Sequence, residues 1–502
     1  MKVLNHALCL PHTFLFALIL FLSSCTKTDT ITPSNSTPTT SPSTPTTPST
    51  SYTNLWIPPT ISGTTFNLTL DKATKQFLTG AVTNTYGFNG ADFWGPTLIM
   101  NKGDQVQINV KNNLSETTTS HWHGFHIPAE MDGGPHQTVD AGTTWSPSFK
   151  VMNSAATYWY HPHLHELTAK QVSYGAGGFI IVRDPQEAAL ALPRSYGVDD
   201  IPLMLTSRRF TNTNTIDYSG AYGDYQLSNG IQNAQFTFPK QVVRLRILNA
   251  EIERGYNLGF SDNRTFYIIA NDDGLLDAPV PVTRVKLVVG ERIEILVDLT
   301  KDAQGSSLDL KAFNANQGFG FGGSEPATQG QFGSLLNNKD FNLLHINVGA
   351  SNTAAITAIP TGLVKNTYWT AADATNSRTI TVTGGQPNGP AFTFDNKAYD
   401  HLVFNQTIKL NAIEKWTIVN NNVFGHSFHI HDIQFKILSR SSGTVGVHES
   451  GWKDTVYLPV GESVTVIAKY EDFSSSKNAF MYHCHFSNHE DGGMMGQFLV
   501  VP

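Results

Sequence analysis

The chain has 502 residues, of which 15% are charged, with a formal net charge of −7 and a sequence pI near 6.2. The length allows two to four domains with buried cores, and the charge supplies no basic surface for a nucleic acid, so nucleic-acid partners are excluded from the expectations. Glycine is plentiful, at 41 residues, and the apolar stretches are short and often alternating. That pattern predicts an all-β fold rather than a helical one.

Residues 1–25 read as an address. Lys2 gives a positive start, and the apolar run 14–22 (FLFALILFL) is too short to span a bilayer. The segment 22–25 (LSSC) resembles a bacterial lipobox, with Cys25 as the residue acylated after cleavage. Residues 26–52 are almost entirely Ser, Thr and Pro, a composition that cannot bury a core and predicts an extended tether. The globular part is expected to begin near Tyr52 as an exported, membrane-anchored lipoprotein facing the periplasm or the cell exterior.

A first domain is predicted over 54–187. Its segment 105–110 (QVQINV) alternates as a half-buried strand does, and 175–182 (GAGGFIIV) reads as a closing core strand. Two His-x-His pairs follow one another, His121 with His123 in HWHG and His161 with His163 in HPH. On an extended strand, residues i and i+2 share a face, so each pair aims two imidazoles at one place, which suits a shared metal cluster. His126, His136 and His165 read as residues behind that cluster or on the surface. Asp132, in EMDGG, reads equally as a turn former before two glycines and as a carboxylate able to deliver protons.

A second domain is predicted over 198–350, with short strands near 201–205, 242–248, 285–289, 293–297 and 343–348. It holds one histidine, His345, and no cysteine, and reads as a spacer sandwich without a metal site. The Gly-rich segment 318–333 carries three phenylalanines and reads first as a plain flexible loop, with the border of a substrate pocket as the alternative.

A third domain is predicted over 375–502. In HSFHIH, His429 and His431 repeat the same-face pair, and His426 falls on the opposite face. His401 and His448 have no neighbour at ligand spacing and read as structural. The stretch 481–495 (MYHCHFSNHEDGGMM) contains Cys484, one of three cysteines in the chain and the only one beyond the leader. His489 follows it by five residues and Met494 by ten. A thiolate and imidazoles in a trigonal plane with an axial thioether are the donors of a type 1 copper. His483 and His485 flank Cys484 and face the other way, toward a second metal site. A zinc site or a solvated loop fits the single cysteine poorly.

With these four clusters in order, the chain resembles the three-domain multicopper oxidases over 54–502. The resemblance implies three cupredoxin-like Greek-key β-sandwich domains and four copper ions per chain. It implies a type 1 copper in the third domain, held by His426, Cys484, His489 and Met494. It also implies a trinuclear cluster between the first and third domains, with His121 and His429 on type 2 copper and His123, His161, His163, His431, His483 and His485 on the type 3 pair. Family members carry acidic residues at the positions of Asp132 and Glu490, which become proton-relay candidates. The implied reaction takes single electrons from a reductant, passes them through Cys484 to His483 and His485, and reduces dioxygen to water. Bacterial cuprous oxidases share these motifs but carry a Met-rich insert, whereas this chain has no methionine between Met204 and Met481. A laccase-like oxidase of phenols, aromatic amines or bilirubin-type pigments is therefore the first expectation, and cuprous or other metal-ion oxidation the alternative. A copper-free cupredoxin scaffold is the second alternative. The complete histidine set argues against a nitrite reductase or a small electron carrier. The expected partners are dioxygen, a small-molecule reductant and, through Cys25, a membrane; the expected oligomeric state is a monomer.

Overall fold

The computed structural model describes residues 51–384 and 391–502. The leader expected over 1–25, with Cys25, and the expected tether up to residue 50 lie outside the described residues. The fold is all-β, with three successive two-sheet sandwiches of cupredoxin-like form.

The first sandwich sets Thr83–Phe88, Thr65–Lys75 and Gln105–Asn112, edged by Thr144–Trp145, against a second sheet. That sheet runs Thr60–Ser62, Thr97–Asn101, Gly178–Arg183, Ala156–His161 and His121–His123. Alternation drives the packing: along Gln105–Asn112, Val106, Ile108 and Val110 point into the core while Gln105, Gln107 and Lys111 point to solvent.

The second sandwich is larger, and several of its strands are buried on both faces. Val242–Asn249 shows why. Val243, Leu245 and Ile247 enter the core, while Arg244 and Arg246 face the first sandwich. There Arg244 donates to Glu187 and Glu294, Arg246 donates to Asp200 and Glu294, and Thr157 of the first sandwich donates to Glu294 at 2.7 Å. A desolvated ion network of this kind holds only because every charge has a partner. The domain start differs from the sequence reading: Thr53–Asn54 pairs in parallel with Ala234–Gln235 of the second sandwich before the chain enters the first. Two residues carry no periodicity from which that pairing could be read.

In the third sandwich, Phe480–Cys484 is central to its sheet, between Met495–Val501 and His426–Ile430. The antiparallel register places His429 opposite His483 and Phe428 opposite Cys484. Beyond Cys484 the chain turns into the short helix Ser487–Asp491, which lies near the helix Thr168–Tyr174 of the first sandwich. Asp491 accepts from the backbone N–H groups of Thr168 and Ala169 at 2.9 and 2.8 Å, capping that helix across the domain boundary.

Candidate metal centres

Strand alternation divides the C-terminal motif between two places. Cys484 Sγ lies 3.6 Å from His426 Nδ1 and 3.5 Å from His489 Nδ1, and the two nitrogens are 3.2 Å apart. These three atoms form a compact triangle with the side chains of Cys484 and His426 fully buried. Burial pushes the Cys484 thiol well above its ordinary range, so a metal must displace the proton for the sulfur to serve as a thiolate. Met494 is buried beside the triangle in sequence: its carbonyl accepts from the Cys484 N–H at 3.1 Å, and its N–H donates to the His489 carbonyl at 2.9 Å.

His483 and His485 reach the other face, where the remaining histidines meet. His163 Nε2 is 3.1 Å from both His431 Nε2 and His483 Nε2, and those two are 3.2 Å apart. The opposite nitrogens are already engaged. His431 Nδ1 donates to Asp132 Oδ2 at 2.7 Å, and His483 Nδ1 donates to the Cys484 carbonyl at 3.1 Å. The Nε2 atoms of those two rings therefore present lone pairs to one point, an arrangement that calls for a cation. A second group holds His123 Nδ1 at 3.1 Å from His485 Nε2 and 3.4 Å from His161 Nε2. His161 Nδ1 donates to the Pro162 carbonyl at 2.8 Å.

His121 and His429 complete the cluster. Their rings stack on His431 and His123, each at 3.9 Å between centroids. The Nδ1 of each donates to a main-chain carbonyl, of Asp132 and Asp454 respectively, at 2.8 Å. Each Nε2 is buried and has no partner, a deficit that an ion removes. Soft sulfur with two imidazoles at one centre, and imidazoles alone at the other, is a donor chemistry that suits copper.

Asp132 and Glu490 are carboxylates behind the cluster that each touch two of its rings. Asp132 reaches His431 and, at 3.3 Å, His121 Nδ1. Glu490 lies 3.2 Å from His163 Nδ1 and 3.4 Å from His483 Nδ1, and accepts from Thr168 Oγ1 at 2.7 Å. Burial, with the charge of Asp491 beside it, raises the Glu490 carboxyl well above its ordinary range.

Two family profiles, each described as multicopper oxidase, match residues 69–187 and 371–502. The multicopper oxidase mco of Staphylococcus haemolyticus is 32% identical over 450 residues, 87% of this chain and 88% of that one. The chain belongs to the multicopper oxidase family. The cell division protein FtsP of Edwardsiella tarda is 31% identical over 453 residues, 87% of this chain and 89% of its own length. Among solved structures, the laccase-like multicopper oxidase CueO of the lignin-degrading Ochrobactrum sp. superposes with a TM-score of 0.79 at 30% identity, over 89% of this chain and 100% of that one.

The histidines set apart from the motifs are also apart in space from both donor sets. His126 is held between Asp432 and Asp472, at 2.8 and 3.1 Å; burial pulls its pKa down, but the two carboxylates push it up to about 9. His136 stacks on His401 with 4.0 Å between centroids, and His165 packs on the ring of Tyr399. His345 stacks on Tyr52, and the His448 carbonyl accepts from Asn271 at 2.7 Å.

The second sandwich is more than a spacer. A cavity of about 570 Å³ opens beside His489, and its wall includes Glu253 from the second sandwich and Gln331 and Phe332 from the Gly-rich segment. The segment read as a plain loop therefore borders the pocket, because Phe332 stacks on Phe424 at 5.4 Å between centroids and is drawn inward. Phe392 packs on His489 itself at 4.3 Å. Sequence reasoning missed Glu253, Asp454 and Arg292, none of which stands in a motif with ligand spacing. Asp454 stands just before the strand Thr455–Leu458, in a segment without histidine or cysteine at ligand spacing.

Proposed function

We propose that this multicopper oxidase is laccase-like, oxidising phenolic or other aromatic molecules and reducing dioxygen to water with four copper ions per chain. The observation that carries the substrate class is the cavity at His489, walled by Phe332, Phe392 and Phe424. Aromatic side chains offer offset and edge contacts to an aromatic ring and little to a hydrated ion. His489 is 9% exposed, so a ring seated on Phe392 lies against the one edge of the Cys484 centre that reaches the cavity. The solved laccase-like relative of Ochrobactrum, described as acting on lignin model compounds and lignosulfonate, supports the same reading.

His426, Cys484, His489 and Met494 would hold the type 1 copper; His121 and His429 the type 2; and His123, His161, His163, His431, His483 and His485 the type 3 pair. Copper, when bound, supplies the one-electron chemistry and the four-electron reduction of dioxygen. The chain's part is connection, orientation and protons. Cys484 is bonded through the backbone to His483 and His485, so a short covalent path joins the two donor sets. Asp132 accepts from His431, Glu490 lies against His163 and His483, and both serve as relay groups for protons beside the cluster.

Glu253 has a role at the substrate end. Its Oε2 lies 3.8 Å from His489 Nε2, and its Oε1 accepts from Asn488 at 2.8 Å. Burial pushes its carboxyl up to about 7, the Asn488 hydrogen bond pulling the other way and the charge of Glu325 adding to the rise. A carboxylate titrating there takes the proton that a phenol gives up as it loses an electron.

Oxygen uptake by the copper-loaded globular part, supplied in parallel with Cu(I) and with a methoxyphenol and corrected for uncatalysed rates, tests the proposal. Faster turnover of the phenol is expected; faster turnover of Cu(I) replaces it with the cuprous-oxidase reading. The absence of methionine over 205–480 and, among the described residues, from the cavity wall speaks against Cu(I), which soft thioethers recruit. The FtsP relatives favour a copper-free scaffold as the other alternative, and the complete donor set weighs against it. The proposal extends to the cell envelope, with a monomer anchored through Cys25. Labelling with a radioactive fatty acid that is lost in Cys25→Ala checks the anchor.

A further inference from the structure

The second sandwich supplies no copper ligand, yet it places one side chain where all three sandwiches meet. Arg292, at the start of the strand Arg292–Asp298, is fully buried. Its Nη1 and Nη2 donate to Asp454 Oδ1 and Oδ2 at 2.8 and 2.6 Å, in the two-pronged form that a guanidinium gives a carboxylate. Nη2 also donates to the Asp272 carbonyl at 2.8 Å, Nη1 to the Gly290 carbonyl at 3.2 Å, and Nε to the Thr157 carbonyl at 3.1 Å. Thr157 belongs to the first sandwich and Asp454 to the third. The other charges nearby are Asp272 and Asp273, 3.8 and 3.7 Å from the guanidinium, and Lys453, 2.9 Å from Asp272.

Asp454 touches the histidine cluster in two ways. Its Oδ1 lies 3.1 Å from His123 Nε2, and its main-chain carbonyl accepts from His429 Nδ1 at 2.8 Å. A neutral imidazole donates from one nitrogen and offers a lone pair at the other. Donation from His123 Nε2 leaves its Nδ1 free, and that is the atom facing His485 and His161. Donation from His429 Nδ1 leaves its buried, unpartnered Nε2 free. His123 is the one ring of the cluster that presents Nδ1 rather than Nε2, and the carboxylate behind it is what selects that tautomer. Gly124, of HWHG, lies against the same pair at φ 87°, and a Cβ there would fall 2.6 Å from Asp454 Oδ2 and 2.7 Å from Arg292 Nη2.

We infer that Arg292 is a positioning residue for the oxygen-side copper cluster: by clamping Asp454 it fixes the proton positions of His123 and His429, and so makes the copper-free second sandwich part of the metal centre. The inference rests on the four-copper reading. The guanidinium fork is needed because an ammonium holds one carboxylate oxygen as a point charge and leaves the carboxylate free to turn.

The test compares the wild type with Arg292→Met, Arg292→Lys and the double variant Arg292→Met/Asp454→Asn. Copper per chain and the type 2 electron paramagnetic resonance signal are the readouts, and the type 1 visible band is the internal control for folding. Arg292→Met is expected to keep the type 1 band and lose at least half of the type 2 signal, with altered hyperfine splitting in what remains. Arg292→Lys is expected to lose less, and the double variant no more than Arg292→Met, because the pair acts as a unit. Wild-type copper content and an unchanged type 2 signal in Arg292→Met overturn the inference. If Arg292→Met also loses the type 1 band, Arg292→Lys decides, and a wild-type type 2 signal there overturns it. A wild type that takes up type 1 copper alone brings down the four-copper reading and this inference with it.

Discussion

At the residue scale, the grouping of the histidines with Cys484 into two donor sets was legible because residue type and strand alternation are both local. HWH, HPH and HIH each put two rings on one face, and the single cysteine between His483 and His485 separates one centre from the other. Asp454, Arg292 and Glu253 were not legible. Their partners stand 162 positions apart in the Arg292–Asp454 pair and 235 in the Glu253–Asn488 pair, and no spacing rule spans such distances. Cys484→Ser removes the thiolate donor; it is expected to abolish the blue colour and cut turnover about 10³-fold or more while leaving a folded protein, as visible absorption, oxygen uptake and thermal unfolding together would show. Burial raises the Glu490 carboxyl well above its ordinary range and so favours its protonated form. Glu490→Gln keeps the shape but cannot release a proton, so kcat is expected to fall about 10²-fold with copper content unchanged. Glu253→Gln should lower kcat/KM for phenols and remove its rise as pH passes through about 7, the value to which burial brings this carboxyl. A reductant without an acidic proton should be less affected.

At the element scale, the helix Ser487–Asp491 explains how neighbours in sequence serve different centres. Successive helical residues turn by about 100°, so His489 faces Cys484 while Glu490 faces His163 and His483. A purely extended reading of 481–495 does not give that division beyond His485. The next residue, Asp491, caps the helix Thr168–Tyr174 of the first sandwich. Loss of such a cap costs about 1 kcal/mol. Asp491→Ala is therefore expected to lower the unfolding temperature by a few degrees, and to weaken the Thr168–Glu490 contact enough to slow turnover; calorimetry with steady-state kinetics on the same sample checks both. The all-β class and the half-buried strand at 105–110 were readable from alternation, and the three sandwiches were implied by the family resemblance. The doubly buried strands were not, because Arg244 and Arg246 look like solvent-facing residues until Glu187, Glu294 and Asp200 are set beside them.

At the scale of the whole molecule, the histidine cluster lies where sandwiches meet, while the Cys484 centre sits within the third. The histidine cluster draws rings from the first and third, and the second closes both it and the substrate cavity through Arg292 and Glu253. Burying so many imidazoles has a consequence for the copper-free protein. Burial lowers His426 from 6.5 to about 3, and holds His161, His163, His431, His483 and His485 well below their ordinary value. A histidine whose folded pKa is depressed gives stability that is fully present above its unfolded pKa and is lost as pH falls below it, because only the unfolded chain takes up the proton. With the unfolded value at 6.5, His426 alone removes about 2 kcal/mol between pH 6.5 and pH 5. The copper-free protein is expected to unfold at much lower urea at pH 5 than at pH 7.5, and equal midpoints would contradict the burial argument.

The central claim is that the two donor sets work as one four-electron device. Its most direct test is the stoichiometry of oxygen consumption by the copper-loaded protein with a one-electron phenolic donor, measured with a peroxide trap present. The account predicts one dioxygen consumed for every four donor molecules oxidised, with no peroxide. One dioxygen for every two donors, with peroxide accumulating, would show that the histidine cluster does not complete the reduction that its geometry is built for.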